Sequence, residues 1–360
     1  MKRRAEPCRA LKRESRVWIF GAGLFGRAVC RALQSQGFDV AGFVETQPKA
    51  TNVLGLPVQA WADLPASSRG EQLAVGIYNH FLPLDGMHAL ASSHGFEAPF
   101  LAHELYDQFA DALGWRYWLS RREFLLANVE RAAAVAERLA DEESRATFAR
   151  TLAFRLGQDL PFSSRLSEEP RYFNSYTLAR FAEKPIAYVD CGAYDGDTFA
   201  DLLALPRVKC SRAWLLEPDP ANFAKLAARV AGEKVPAVCL PLAAADRYRM
   251  LSFTADEGEA SRVGDGSVSV AAVALDELLP NESIGMLKLD VEGGEAMALR
   301  GARRLIERSR PVLAVSLYHN PQDLWELPEL LFEMCPGYDF HVGQHQANTF
   351  DSVLYAVPKP

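Results

Sequence analysis

Five carboxylates fall where short apolar runs end in the C-terminal half of the chain: Asp190, Glu217, Asp246, Asp290 and Glu292. In an open α/β sheet, ligands bind outside the carboxyl ends of the strands, so these are the positions at which chemistry is expected. A single strand-end Asp is more often a helix N-cap than a ligand contact. Five in succession point to a bound group. The turn Gly192-Ala193-Tyr194-Asp195-Gly196-Asp197-Thr198 holds no Lys and two Asp, and it lacks the G-x-x-x-x-G-K-[ST] pattern, so a polyphosphate is disfavoured. The lining suits a cation, or a ligand that combines a positive centre with ribose hydroxyls.

S-adenosylmethionine has an ammonium, a sulfonium and a ribose diol, and each has a matching position. Gly192 and Gly196 let the backbone turn sharply and approach the ligand. Asp190 with Asp195 or Asp197 would receive the ammonium. Glu217 would accept the two ribose hydroxyls, and Asp246 would meet the adenine amino group. For deprotonating an acceptor, His319 is the favoured base, since its ordinary pKa of about 6.5 suits proton transfer near neutrality. Asp323, four residues on, would orient it. Asp290 and Glu292 are the competing bases, and either could instead hold a metal or steer substrate. Glu295 stands at the start of a helix, where a carboxylate is favoured.

These residues need a frame of alternating strands and helices, and the sequence supplies one. Ala187–Val189, Ala213–Leu216, Val238–Leu242, Met286–Leu289 and Val312–Leu317 read as strands. Helices are expected over Thr198–Leu205, Asn222–Val230, Met297–Glu307 and Leu327–Met334. Asp339–Val342 and Ser352–Val357 are joined by a connection too short for a crossover helix, so an antiparallel pair should close the sheet. Upstream, Val17–Phe20 runs into Gly21-Ala22-Gly23-Leu24-Phe25-Gly26, a helix over Arg27–Gln36 and a strand Val40–Val44 ending at Glu45. That is the opening of a Rossmann-type domain. Gly21, Gly23, Gly26 and Glu45 therefore form a candidate second nucleotide site, with Glu45 suited to a ribose diol. Between the halves, 115–156 contains neither Pro nor Gly and carries an apolar stripe, which predicts a helical bridge.

The C-terminal half resembles the FkbM family of S-adenosylmethionine-dependent methyltransferases. Three stretches carry the likeness: Val189–Thr198, Leu216-Glu217-Pro218-Asp219-Pro220, and Leu287–Glu295 with Leu299-Arg300-Gly301-Ala302 after it. Glu169-Pro170-Arg171-Tyr172-Phe173, Leu317–Trp325 and Val353–Pro358 are similar to a subset of its members. The resemblance covers about residues 165–360. It implies a class I methyltransferase fold, S-adenosyl-L-methionine as cofactor and, usually, O-methylation of sugars or of polyketide and related metabolites. Cofactor contacts are accordingly expected at Asp190, Gly192, Ala193, Tyr194, Asp195, Gly196, Asp197, Thr198, Glu217, Pro218, Asp246 and Asp290. Tyr194 stands where many class I enzymes have the middle Gly of G-x-G-x-G. Gly343-Gln344-His345-Gln346 is less basic than expected of close relatives, which bears on acceptor recognition. The N-terminal half resembles the nucleotide-sugar-binding half of sugar acyltransferases through Phe20–Gly26, Gly42–Glu45 and Gly55–Val58, which would place a nucleotide or nucleotide sugar there.

The expected fold is thus α/β with two doubly wound domains, an N-terminal Rossmann-like domain and a C-terminal class I methyltransferase domain, joined by a helical bridge. The boundaries read as a disordered basic tail 1–14, a Rossmann-like domain 15–112, a bridge 113–180 and a methyltransferase domain 181–360. Composition agrees. Asp and Glu outnumber Lys and Arg by 46 to 39, a formal charge of −7, which argues against a general nucleic-acid binder. No apolar run reaches membrane-spanning length. The six cysteines are scattered, as in a reduced cytosolic enzyme, and the histidines at 80, 88, 94 and 103 lack zinc-site spacing, so no metal is expected there. The expected partner is a small-molecule or glycan acceptor, with no nucleic acid and no membrane, and a homo-oligomer left open. The competing reading is a scaffold that retains the fold without turnover.

Overall fold

The computed structural model describes residues 9–181, 185–253 and 268–360. They fall into two compact units. The first comprises the chain up to Ala133, Phe148–Leu166 and Gln346–Phe350; the second comprises Ala134–Thr147, Ser167–His345 and Asp351–Pro360. The segment read as a bridge, 113–180, is therefore shared between the units rather than forming a module of its own. Its stretch 115–156, which carries the apolar stripe, holds the α-helices Arg122–Ala127, Val129–Glu137 and Glu142–Arg155.

The first unit has a five-stranded sheet made of β1 (Val17–Phe20), β2 (Val40–Glu45), β3 (Asn52–Val53), β4 (Leu56–Ala60) and β5 (Gln72–Val75). Their order is β3-β4-β2-β1-β5. β1, β2, β4 and β5 run parallel, and β3 folds back on β4. The helix after β1 starts at Leu24 rather than Arg27, so the glycine turn is tighter than predicted. A Cβ on Gly26 would lie 1.9 Å from the Gly21 carbonyl oxygen, which is why only glycine fits there. The basic N-terminal segment is docked from Arg9 onward, contrary to a disordered tail: Arg9 pairs with Glu104, Leu11 is buried, and Gln72 accepts from the Lys12 amide. The rest of that tail, 1–8, lies outside the described residues.

The second unit is built on seven strands: β6 (Ile186–Cys191), β7 (Cys210–Leu216), β8 (Ala237–Leu240), β12 (Met286–Leu289), β13 (Val312–Ser316), β14 (Tyr338–Gln344) and β15 (Ser352–Pro358). Their order is β14-β15-β13-β12-β6-β7-β8. All pairings are parallel except those of β15, which runs antiparallel to both β13 and β14. β12 and β13 are buried throughout, as expected of strands covered on both faces. The sequence reading missed a second, three-stranded sheet of β9 (Ala243–Ala244), β10 (Arg249–Phe253) and β11 (Val268–Val273). The helix expected over Met297–Glu307 is two, Glu295–Gly301 and Arg303–Ser309. Gly301 lies where they meet, and a Cβ there would stand 1.9 Å from the Ala245 carbonyl oxygen. Among the described residues, no helix is long and apolar enough to cross a membrane.

Candidate active site at the strand ends of the C-terminal sheet

Parallel strands β6, β7 and β12 deliver Asp190, Glu217 and Asp290 to the same end of the sheet. The glycine turn after β6 is held against both neighbours. The amides of Gly192 and Ala193 donate to the Leu216 carbonyl at 2.9 and 3.0 Å, and the Asp290 amide donates to Cys191 at 3.1 Å. At Gly192 a Cβ would sit 1.9 Å from the Asp290 carbonyl oxygen, and its φ is +80°, so the position requires glycine on two counts. Glu217 is buried at the tip of β7 and closes the turn, accepting from the Tyr194 amide at 2.8 Å and the Asp219 amide at 2.9 Å. Burial pushes its carboxyl up to about 7, against the pull of those two amides. Each carboxylate oxygen keeps acceptor capacity beyond the one amide it receives, which is what a ribose diol needs.

Asp190 takes a different part from the one expected. Fully buried, it binds Lys288 Nζ at 2.8 Å and the Tyr188 hydroxyl at 2.9 Å. Lys288 also donates to the Gly192 carbonyl at 2.8 Å. Burial opposes the charge on Lys288, yet Asp190 and Asp290 hold its ammonium above the ordinary lysine value. Asp190 thus shapes the turn through Lys288; with its cation already in place, it is no open receptor for an ammonium. Asp195 pairs with Arg229, and Asp197 starts the next helix, accepting from the Thr198 amide at 2.7 Å. Asp246 follows β9, in the smaller sheet, and pairs with Arg249. Its neighbourhood is not that of a third strand of the main sheet. Asp219, which was not singled out, is the N-cap of helix Pro220–Val230.

Beyond β12 and β13 lies a second group. Asp290 accepts from the hydroxyls of Tyr172 and Tyr318 at 3.0 and 3.1 Å. Burial works to raise its carboxyl, but Lys288, His319 and Arg171 hold it down at about 2. His319 is fully buried, with Glu295 Oε1 2.8 Å from Nδ1, and Asp290 Oδ1 and Glu292 Oε2 at 3.4 and 3.5 Å from Nε2. Desolvation pulls its pKa down, but Glu295, Glu292 and Asp290 outweigh it and hold the imidazolium well above the ordinary value. Three carboxylates around the ring favour its protonated form, which makes it a poorer base than its ordinary value suggested. Asp323 accepts from the Asn320 amide at 2.6 Å, and Glu295 is the carboxylate that meets the His319 ring at Nδ1, 2.8 Å away. Glu292 adopts φ +53° in the loop after β12 and stays partly exposed.

The structure thus brings His319, Asp290 and Glu292 together, and Glu217 with Tyr194 and the glycine turn. Sequence reasoning missed Lys288, Tyr172, Tyr318 and Glu295 as parts of the site. A signal for Lys288 existed: an ammonium inside the apolar run Met286–Leu289 must find a partner when that run is buried. In the first unit, Glu45 Oε1 accepts from the Ala22 amide at 3.1 Å, bringing the acid to the turn of Gly21, Gly23 and Gly26.

The structure resembles a methyltransferase FkbM from Methylobacillus flagellatus, at 22% identity and a TM-score of 0.75 over 95% of this chain and 90% of that one. A putative rRNA methylase from Clostridium thermocellum matches at 10% identity and a TM-score of 0.36, covering 54% of this chain and all of the other. Fibrillarin from Aeropyrum pernix, solved with S-adenosyl-L-methionine, matches at 12% and 0.32, covering 51% and 73%. No curated protein matches the sequence. The likeness to the first of these is one of fold. Residues 190–345, which include every acid of the strand-end site, match the methyltransferase FkbM domain.

Proposed function

We propose that the second unit transfers the methyl group of S-adenosylmethionine to a hydroxyl oxygen of a sugar, glycan or related metabolite. The observation that carries this reading is Glu217, a buried carboxylate at the strand end that already grips the glycine turn through the Tyr194 amide. The donor set fits the cofactor: a hydroxyl-accepting carboxylate at Glu217, a carboxylate at Asp197 on the following turn, and no phosphate-binding lysine in that turn. Bound S-adenosylmethionine supplies an electrophilic methyl carbon. The chain's part is to align the acceptor with it and to take a proton.

Among the acids facing the acceptor side, Glu292 is the base. Asp290 is held strongly acidic and both its oxygens receive tyrosine hydroxyls, whereas Glu292 is partly exposed. His319 holds Asp290 and Glu292 near each other by its positive charge. Incubation with methyl-labelled cofactor and a panel of sugars and nucleotide sugars tests the reading. The expected product carries label in a base-stable ether, and Glu292→Gln slows its formation by about 10²–10⁴-fold, the usual worth of a general base. Absence of label on every hydroxyl acceptor, or label in a base-labile ester, contradicts it.

A further inference from the structure

We propose that Arg171 binds the carboxylate at the methionyl end of S-adenosylmethionine, with Asp197 receiving the ammonium on the same carbon. The inference rests on the methyltransferase reading and names the partner of a charge that the strand-end acids cannot meet. Those acids suit the ribose diol and the positive centres of the cofactor. Its amino acid end also carries an anion, which an acidic rim repels unless a cation stands there. Arg171 and Asp197 supply both signs. Their side chains are 29% and 49% exposed, and Nη2 of the one lies 3.8 Å from Oδ2 of the other. Two opposite charges so spaced and partly open to solvent complement an α-amino acid, whose own two charges sit on one carbon.

Other cations near the glycine turn, among the described residues, are placed differently. Lys288 is buried and serves Asp190 and the Gly192 carbonyl, each at 2.8 Å. Lys225 and Arg229 stand on helix Pro220–Val230, which follows β7; Lys225 donates to Asn222, and Arg229 pairs with Asp195. Arg171 lies on the opposite side of the turn. Its guanidinium is 4.7 Å from the centre of the Tyr172 ring, whose hydroxyl reaches Asp290 at the end of β12. β6 and its turn lie between β12 and β7 in the sheet. With the ribose on Glu217 after β7 and the base Glu292 after β12, the sulfur that joins ribose to amino acid comes between them. The amino acid end then falls on the β12 side. The guanidinium is also held in place there. Nη1 donates to Asp351, which is 4% exposed, while Nη2 stands beyond hydrogen-bond reach of Asp197, so donors of the planar fork remain for a carboxylate.

Calorimetric titration of the full chain with S-adenosylhomocysteine and with its decarboxylated analogue, which keeps the amine and lacks the carboxylate, tests the assignment. The wild-type protein should prefer the first by about 10–100-fold, the worth of hydrogen bonds to a charged group. Arg171→Gln alone strands the buried Asp351, so it is combined with Asp351→Asn. The double variant should bind the analogue as the wild type does and lose the preference. Arg171→Lys, which keeps a cation beside Asp351 without the fork, should lose part of it, and Arg229→Ala should keep it. Equal affinity of the wild type for the two compounds, an undiminished preference in both Arg171 variants, or an equal loss for both compounds would overturn the proposal. So would a preference that vanishes in Arg229→Ala instead. A folded wild type that binds neither compound would overturn the cofactor reading and this assignment together, whereas tight and equal binding of both would leave that reading standing.

Discussion

Gly21–Gly26 and Gly192–Gly196 are both turns from a parallel strand into a helix, and in both an acid at the tip of the next strand accepts from a turn amide. Glu45 meets Ala22 at 3.1 Å, and Glu217 meets Tyr194 at 2.8 Å. Each turn contains a glycine whose Cβ would collide with a carbonyl oxygen at 1.9 Å, Gly26 with Gly21 and Gly192 with Asp290. The difference lies on the other flank. After β5 the chain continues Gly76-Ile77-Tyr78, without an ionisable acid; after β12 it continues Asp290-Val291-Glu292, beside the buried Lys288. Glycine and one acid are thus the common means of making the turn. The second turn is distinguished by a buried ion pair beneath it and a charged cluster beside it.

The largest effect that sharpens this comparison concerns the ion pair. Lys288→Met leaves Asp190 buried without its cation and should cost about 3–5 kcal/mol in a denaturant titration. Adding Asp190→Asn should restore much of that loss; a single variant as stable as the wild type would remove the distinction between the turns. Next come the two matching acids. Glu217→Ala should weaken S-adenosylhomocysteine binding in calorimetry by about 1–3 kcal/mol, as expected for hydrogen bonds to a charged group, whereas Glu45→Ala should leave it unchanged.

A smaller effect follows from the pKa of Glu217, about 7 in the ligand-free protein. Ribose hydroxyls favour the ionised carboxylate, so binding lowers that pKa. Affinity should be full above pH 7 and fall as the pH drops below it, by at most about tenfold per unit. Glu217→Gln should flatten the profile, and a slope that persists in that variant would assign it to another group. The smallest effect is at Asp246. Its carboxylate faces Arg249 in the small sheet, and an ion pair exposed to this degree is worth at most about 1 kcal/mol. Asp246→Asn should change cofactor affinity by no more than this; a larger loss would return Asp246 to the adenine role.

Much of the second unit was legible because its strands are continuous apolar runs that stop at an acid. Ala187–Val189, Ala213–Leu216 and Met286–Leu289 each lie inside an observed strand, and the closing antiparallel pair follows from the short connection before Ser352. Strand-end position also singled out Glu217, Asp290 and Glu292, because in a parallel sheet the end of a strand is a place in space as well as in sequence. Partnership was not legible. Which cation neutralises Asp190, and which acids surround His319, depends on contacts across 98 and 24–29 residues of chain, and residue spacing says nothing of these. The pKa of His319 shows the consequence. Its ordinary value suggested a base, and three carboxylates raise that value. The small sheet of β9, β10 and β11 escaped for a similar reason, since β9 is only two residues long and is defined by its pairing with β11.

The most direct measurement is a crystal structure of the protein soaked with S-adenosylhomocysteine. The account predicts the ribose hydroxyls on the Glu217 carboxylate, with the amino acid end of the ligand over Gly192–Thr198. Ligand density against Gly21–Gly26 instead, or a ribose that avoids Glu217, would contradict it.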